Sequence, residues 1–370
     1  MKCNTAAIAA ILFAQAVLTV FAACPYMNGN VVDSVDLPPG HPPVRAQERV
    51  DYNAVARDIE ALLTDSQPWW PADYGNYGPF FIRLAWHCSG SYRTSDGRGG
   101  CDGGNIRFNP VHSWTDNTNL DKAILLLEPI KLKYGPALSW GDLAVLAGTT
   151  AIESMGGPVL GFCGGRIDDH DGFNSLELGP TKLQQEVAPC IEQGNCKEPL
   201  GSDTVGLIYV NPEGYMANHI PEQSVPEIRD VFARMGMNDT ETVALIGGGH
   251  TFGKTHGACL LGPGDSPHVD PYNSWAQPCS NGTYTSGMEG PWTQSPTAWN
   301  QDYWNNLLNY KYELVPTPGG AKQFEPVAGQ VDTTSRDTDI QISFFFFDVS
   351  SHMTLGIYFS LISFFGNFVS

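Results

Sequence analysis

The stretch Phe81-Ile-Arg-Leu-Ala-Trp-His87 restricts the fold and the chemistry of this chain more than any other part of its sequence. Its spacing predicts a helix, and a helix places residues three and four apart on one face, so Arg83, Trp86 and His87 should point the same way. Such a face can polarise a small oxygen substrate, because an imidazole moves a proton while a guanidinium stabilises negative charge. A buried helix whose Arg and His satisfy each other is the simpler alternative.

A second segment, Glu241-Thr-Val-Ala-Leu-Ile-Gly-Gly-Gly-His250-Thr-Phe-Gly-Lys-Thr-His256, adds two histidines in a glycine-rich context. Together the two segments resemble the class I haem peroxidases, and most closely the catalase-peroxidases, whose distal Arg-x-x-Trp-His and proximal Gly-Gly-His-Thr-Phe-Gly-Lys-Thr-His motifs stand here almost letter for letter. Four more motifs follow the order of that family: Asp96-Gly-Arg-Gly-Gly100, Ser113-Trp-Thr-Asp-Asn117, Ile208-Tyr-Val-Asn-Pro-Glu-Gly214 and Ser286-Gly-Met-Glu-Gly-Pro-Trp292. The resemblance runs from about Cys24 to about Asp339, and it implies a mainly α-helical haem-dependent peroxidase fold that is incomplete at its C-terminus.

On the distal side the resemblance implies acid–base work on hydrogen peroxide. His87 would carry the proton from one oxygen to the other, while Arg83 stabilises the developing charge. Asn117 would accept the other N–H of His87, and Asp116 would line the access channel. The motif that contains Asn117 could otherwise be an ordinary helix cap, which that motif alone would favour.

On the proximal side the resemblance implies that His250 ligates the iron of haem b. Its other N–H needs an acceptor that makes the ligand more basic, and Asp339 in Thr338-Asp-Ile340 is the matching residue. Trp292 would lie near the histidine and Ser286 near a haem edge. Taken alone, Trp292 would be assigned to core packing.

Three further residues distinguish activities within class I. Met235, Tyr209 and Trp86 match the covalent Met-Tyr-Trp adduct with which catalase-peroxidases oxidise a second peroxide, while Thr285 stands where ascorbate peroxidases have a basic residue. The resemblance therefore implies an enzyme that decomposes hydrogen peroxide to water and dioxygen and oxidises small organic electron donors. The alternatives are a single-function peroxidase of the cytochrome c or ascorbate type, and an inactive remnant.

A nucleotide-binding protein is a rival from another class. The segment from Gly248 to Thr255 satisfies the phosphate-loop pattern G-x-x-x-x-G-K-[ST], and Val243–Ile246 could pass for the strand that precedes such a loop. Against it, the chain lacks the alternating rhythm of strands and helices that such folds show. A zinc site is weaker still, because His250 and His256 are six residues apart and would lie on different faces of a helix.

Composition limits the partners and the architecture. With 20 Lys plus Arg against 39 Asp plus Glu, the net charge of −19 repels phosphate backbones and anionic membranes, so neither nucleic acid nor a membrane partner is expected. A polar sequence rich in Gly and Asp predicts a loop over residues 164–211. Apolar residues at helical spacing predict four further helices, over residues 120–133, 139–155, 225–235 and 299–312.

The two ends of the chain differ from its middle. Residues 1–23 show the charge, apolar core and small residues of a secretory signal peptide, so we expect a secreted, extracellular protein. The haem peroxidase domain is expected over residues 24–339. The Phe- and Ser-rich residues 340–370 are expected to be an unrelated hydrophobic tail, such as a gene-model artefact would produce. Assembly of the complete protein as a homodimer stays open.

Cysteine pairing cannot be deduced from the sequence. Of nine cysteines, Cys3 lies in the expected signal peptide, which leaves eight in a compartment that permits disulfides. Cys190 and Cys196 could close a small loop. Cys88 directly follows His87 and fits a buried thiol.

Overall fold

The computed structural model describes residues 50–114, 117, 119–176, 178, 190–192, 195–196, 218–256, 290–316 and 322–327. Four predicted site residues lie outside the described residues, as do the expected signal peptide and tail: Asp116, Tyr209, Ser286 and Asp339.

Helices dominate the described regular structure, as the sequence predicted. In chain order the described α-helices are α1 (Tyr52–Leu63), α2 (Gly78–Ser89), α3 (Leu120–Tyr134), α4 (Trp140–Ser154), α5 (Phe173–Leu176), α6 (Val225–Arg234), α7 (Asp239–Gly249) and α8 (Asp302–Asn309). The strands form three antiparallel pairs: β1 (Cys190–Glu192) with β2 (Asn195–Cys196), β3 (Lys254–Thr255) with β4 (Gly290–Pro291), and β5 (Tyr312–Pro316) with β6 (Lys322–Pro326). None of the described helices combines the length and the apolar character that crossing a membrane requires.

The main core forms where α2 packs on α4, with α1 and α3 against the same pair. Phe81, Leu84 and Cys88 of α2 are buried in it. A Cβ added at Gly148 of α4 would lie 2.4 Å from the Cβ of Ala85, so only glycine lets the two helices approach this closely. One face of α2 is therefore held against α4. The opposite face, which carries Arg83, Trp86 and His87, makes other contacts and is called the free face of α2.

A second buried cluster joins α6, α7 and α8. Its members are Ile228, Val231, Phe232, Val243, Ile246 and Tyr303. Trp86 of α2 packs against this cluster, as do Met235 and Trp292. The cluster therefore connects the free face of α2 with the three later helices.

The ends of α7 are well defined. Asn238 Oδ1 accepts from the backbone N–H of Glu241 at 2.9 Å, and the Glu241 carboxylate accepts from the backbone N–H of Asn238 at 2.9 Å. This reciprocal capping box starts the helix. The helix ends at Gly249, with His250 as its C-cap, so the position of His250 follows from where the helix stops.

Three of the four additional helix predictions agree with α3, α4 and α6 to within one residue at either end. The fourth, over residues 299–312, was too long. Asn300 Oδ1 accepts from the backbone N–H of Asp302 at 2.9 Å and fixes a later start. At the other end Tyr312 begins β5, which pairs with β6 along its whole length. Within the described part of 164–211, only α5 and the β1–β2 pair are regular.

The interpretation of Cys88 as a buried thiol was wrong. Cys88 forms a disulfide with Cys101, because the loop after α2 turns back and brings the two Cα atoms to 4.8 Å. Cys163 is also disulfide-bonded. The backbone pairs Cys190 opposite Cys196 across β1 and β2.

Candidate active site

The free face of α2 carries Arg83, Trp86 and His87. Pro79 in the first turn of the helix has no backbone N–H that would need an acceptor, and the N–H of Gly78 donates to Asn76 Oδ1 at 2.7 Å. His87 is 8% exposed, while Arg83 and Trp86 are half-buried. The prediction that these three side chains share one side of a helix is therefore confirmed, whereas their chemical roles stay predictions.

A short chain of hydrogen bonds sets the orientation of His87. Asn117 Nδ2 donates to the carbonyl of Val111 at 2.7 Å, so its Oδ1 is the atom that faces His87 Nδ1, at 2.8 Å. An amide oxygen only accepts, and we therefore assign the proton to Nδ1 and the lone pair to Nε2. The predicted contact is present, and the alternative role as a helix cap is wrong, since Asn119 occupies the N-cap of α3.

The surroundings of His87 favour its neutral form. Burial lowers its pKa well below the usual 6.5, and the positive charge of Arg83 lowers that pKa further. The hydrogen bond with Asn117 opposes these effects in part. A neutral imidazole accepts a proton, and the neighbouring guanidinium is permanently charged. The free face of α2 can therefore take up a proton and stabilise negative charge at the same time.

Trp86 connects α2 with α6. Its indole stacks on Phe232, with ring centroids 5.8 Å apart and planes 7° from parallel. Met235, the C-cap of α6, packs against the same cluster. The structure thus brings two of the three predicted adduct residues to one cluster, and Tyr209 lies outside the described residues.

His250 is held by the last turn of α7. The carbonyl of Ile246 accepts from the backbone N–H of His250 at 2.9 Å and from its Nδ1–H at 2.8 Å, which assigns the lone pair to Nε2. Burial lowers the pKa of His250 to about 4, although the bond to Ile246 acts in the opposite direction. A neutral imidazole is the form that ligates iron. The sequence predicted Asp339 as the acceptor for the second N–H; among the described residues the acceptor is Ile246.

Two aromatic side chains pack around His250. The indole of Trp292 meets its ring edge to face at a centroid distance of 4.7 Å, and the ring of Tyr303 stacks on it at 5.0 Å. Pairing of β3 with β4 brings Trp292 to this place, and Thr293 Oγ1 adds a bond to the carbonyl of Thr251 at 3.2 Å. Trp292 therefore lies beside His250 as predicted.

Sequence reasoning missed Tyr303. It is fully buried, and burial raises the pKa of its hydroxyl. The helical spacing of its segment predicted burial and gave no indication that its neighbour would be His250.

The described structure does not fit a phosphate-binding loop. Such a loop follows a strand and opens a helix, whereas Val243–Ile246 lies inside α7 and Lys254–Thr255 forms β3. The nucleotide-binding alternative is therefore wrong.

His256, the other histidine of this segment, contacts Asp73 Oδ2 through its Nε2 at 2.6 Å, and both side chains are exposed.

Comparison with known proteins agrees with this geometry. The sequence profile of the peroxidase family matches residues 55–344. A catalase-peroxidase of Phenylobacterium zucineum is 51% identical over 299 residues, which cover 76% of this chain and 40% of that protein. A catalase-peroxidase of Natronomonas pharaonis is 49% identical over 304 residues, covering 80% and 43%, and one of Escherichia coli is 50% identical over 290 residues, covering 75% and 39%. The chain spans about two fifths of the length of these relatives.

The residues present fit the haem cofactor that the family implies. Nε2 of neutral His250 has the donor chemistry of an iron ligand, and Trp292 and Tyr303 fix its ring. His87 and Arg83 supply a base and a cation on a separate helix. Both histidine segments fall inside the matched region, and the chain therefore belongs to the peroxidase family, with catalase-peroxidases among its relatives.

Proposed function

We propose that the complete protein is a bifunctional catalase-peroxidase. It binds haem b, converts hydrogen peroxide to water and dioxygen, and oxidises small organic electron donors. The observation that carries the proposal is the free face of α2, where neutral His87 and cationic Arg83 accompany Trp86, which shares a cluster with Met235. Peroxide cleavage requires only the first two residues. The shared cluster of Trp86 and Met235 is what favours dioxygen release in addition.

His87 and Arg83 act on the first peroxide. Nε2 of His87 accepts a proton from one peroxide oxygen and returns it to the other, which leaves as water when the O–O bond breaks. Arg83 stabilises the negative charge on the departing oxygen. Asn117 keeps Nδ1 of His87 protonated, so Nε2 is the atom that both accepts and returns the proton. Transfer of this kind typically contributes about 10²–10⁴ in rate. Asp116 is proposed to line the access channel.

His250 would hold the haem iron through Nε2. When bound, haem supplies the two-electron redox chemistry that cleavage of the O–O bond requires. The carbonyl of Ile246 keeps the ring of His250 oriented, and Trp292 keeps it from turning. The positions of Ser286 near a haem edge and of Asp339 near His250 are proposals supported by the family resemblance.

Dioxygen release is proposed to depend on a covalent link between Trp86, Tyr209 and Met235. A carbon–carbon bond between the Trp86 and Tyr209 rings removes two electrons and two protons. A bond from the Met235 sulfur to the Tyr209 ring gives a sulfonium and removes two electrons and one proton. Two hydrogen peroxide molecules take up these four electrons and, with one proton from solvent, become four waters. The finished adduct assists oxidation of a further peroxide, so that in turnover two hydrogen peroxide molecules give two waters and one dioxygen.

The test measures oxygen release and dye oxidation side by side in the haem-loaded protein. Met235→Ile and Tyr209→Phe should lose most oxygen release while dye oxidation survives, because only the second half-reaction uses the adduct. Met237→Ile is the matched control, since Met237 packs against the same cluster two residues further on. Oxygen release at the parent rate in Met235→Ile would favour a single-function peroxidase instead.

We further propose that the protein is secreted. The disulfide between Cys88 and Cys101 and the disulfide-bonded Cys163 support this, because such bonds persist in oxidising compartments. Expression through a secretory host should deliver the protein to the medium with Cys88 and Cys101 unreactive towards a thiol reagent after unfolding. Intracellular protein with both thiols reactive would contradict it. Assembly of the complete protein as a homodimer is a further proposal, supported by the resemblance alone.

A further inference from the structure

Arg234 is a buried cation with no role in the chemistry described so far. It is the last residue of α6, directly precedes Met235, and is 9% exposed. Its Nη1 donates to the carbonyl of Tyr92 at 2.6 Å, and its Nη2 donates to the carbonyl of Gly90 at 3.0 Å. Burying a guanidinium is costly unless its donors are satisfied, so these bonds determine where the side chain can lie.

The bonds from Arg234 meet the C-terminal end of α2. Gly90 is the C-cap of that helix, and its backbone N–H donates to the carbonyl of Trp86 at 2.7 Å. The last carbonyls of a helix lack helical donors and lie at the negative end of the helix dipole. Arg234 therefore supplies one donor and a complementary charge to the end of α2, and a second donor to the loop that follows it.

The backbone of Arg234 is held by the same loop. Thr94 donates to the Arg234 carbonyl through its backbone N–H at 2.9 Å and through Oγ1 at 3.1 Å. The residues from Gly90 to Thr94 thus accept from the side chain of Arg234 and donate to its carbonyl. Bonds of both kinds fix the end of α6 along the end of α2 and prevent it from sliding.

Two residues close to Arg234 in sequence, Phe232 two positions before it and Met235 directly after it, pack near Trp86. Phe232 stacks on the indole of Trp86, and Met235 packs against the same cluster. We propose that Arg234 is a positioning residue whose bonds to Gly90 and Tyr92 keep Met235 and Trp86 in the arrangement that cross-linking requires. The inference rests on the proposed function, because this register matters to chemistry only if the two side chains are joined through Tyr209.

Positioning and simple structural support predict different results. If Arg234 only stabilised the fold, its loss would lower the melting temperature, dye oxidation and cross-linking together. If it sets the register of α6 on α2, its loss lowers cross-linking and oxygen release selectively, because dye oxidation depends on His87 and Arg83.

The experiment quantifies the cross-link itself. The full haem-loaded chain is treated with a small excess of hydrogen peroxide and digested with trypsin. Mass spectrometry then measures peptides containing joined Trp86, Tyr209 and Met235 against the unjoined ones. In Arg234→Gln the joined fraction should fall about tenfold, the factor expected when a hydrogen bond from a charged donor is lost, while dye oxidation stays near the parent rate.

Arg229→Gln is the matched control. Arg229 lies on the same helix, is 49% exposed, and pairs with Asp239 at 2.8 Å. The variant removes the same charge without touching the end of α2, so it should cross-link like the parent. If the joined fraction falls as much in Arg229→Gln as in Arg234→Gln, the inference is overturned.

The remaining outcomes distinguish this inference from the proposed function. A parent chain that oxidises dye without forming any cross-link overturns both. A parent that cross-links, with Arg234→Gln cross-linking equally or losing dye oxidation in proportion, overturns the positioning role alone. If Arg234→Gln does not fold, Arg234→Lys carries the test. Its single ammonium reaches one of the two carbonyls at a time, so the joined fraction should fall, though less than in Arg234→Gln, and an unchanged fraction overturns the inference.

Discussion

Replacing Asn117 with alanine isolates the contribution of the His87 tautomer. The Asn117 side chain is 4% exposed, and its Oδ1 lies 2.8 Å from His87 Nδ1. Alanine removes this acceptor and allows the proton of the neutral ring to move to Nε2. In that tautomer the nitrogen that has to accept the peroxide proton already carries one.

The size of the effect follows from the lost bond. A buried donor that loses its acceptor is penalised by about 1–3 kcal/mol, which lowers the population of the required tautomer about 5- to 150-fold. We therefore expect the rate constant for peroxide cleavage to fall about tenfold to hundredfold. The bond to Asn117 raises the pKa of His87. Its loss lowers that pKa further, so raising the pH should not restore the rate.

Stopped-flow absorbance of the haem after mixing with hydrogen peroxide measures this rate constant. Asn105→Ala is the matched control, because Asn105 is similarly buried and its Nδ2 donates to the carbonyl of Asp102 at 3.2 Å, outside the contact with His87. The control should lose stability and keep the parent rate. A rate constant for Asn117→Ala within about twofold of the parent, or one that recovers at high pH, would refute the role given to the tautomer.

Three further predictions concern pH and stability. Burial and Arg83 lower the pKa of His87, so its neutral form persists below pH 6.5. The rate constant for peroxide cleavage should therefore stay level down to pH 6.5 and fall only as the pH drops through the lowered pKa. A pH profile whose midpoint lies at or above 6.5 would contradict this. Cys88→Ser opens a loop of 13 residues and should lower the free energy of unfolding by about 3 kcal/mol in a urea titration without reductant, whereas an unchanged midpoint would show that the disulfide adds nothing. Gly148→Ala places a Cβ 2.4 Å from that of Ala85 and should cost about 1–3 kcal/mol in thermal unfolding, so an unaltered melting temperature would show that α2 and α4 can separate freely.

The sequence predicted features that depend on short spacing or on a motif. Arg83, Trp86 and His87 share a face because the helical period alone places them there. The contact between His87 and Asn117 spans 30 residues. No period reaches that far, and only the resemblance of the motif indicated it.

Long-range packing produced the features that sequence reasoning missed. Tyr303 reaches His250 because α8 folds back onto α7, and Arg234 reaches Gly90 because α6 ends beside α2. Neither contact can be predicted from the local sequence. An aromatic residue in an amphipathic helix is expected to be buried and an arginine to be solvated, but the helical pattern does not indicate which residue each will contact. The partner of Cys88 was beyond prediction for the same reason, because sequence alone does not give disulfide connectivity.

Haem binding by His250 tests the central claim most directly. The full chain is titrated with haem while the absorbance of bound haem is followed, in the parent, in His250→Ala and in His256→Ala. We expect His250→Ala to lose haem binding. His256→Ala should bind like the parent, because His256 contacts Asp73 at the surface. Equal loss in both variants, or full binding by His250→Ala, would contradict the assignment of His250 as the iron ligand.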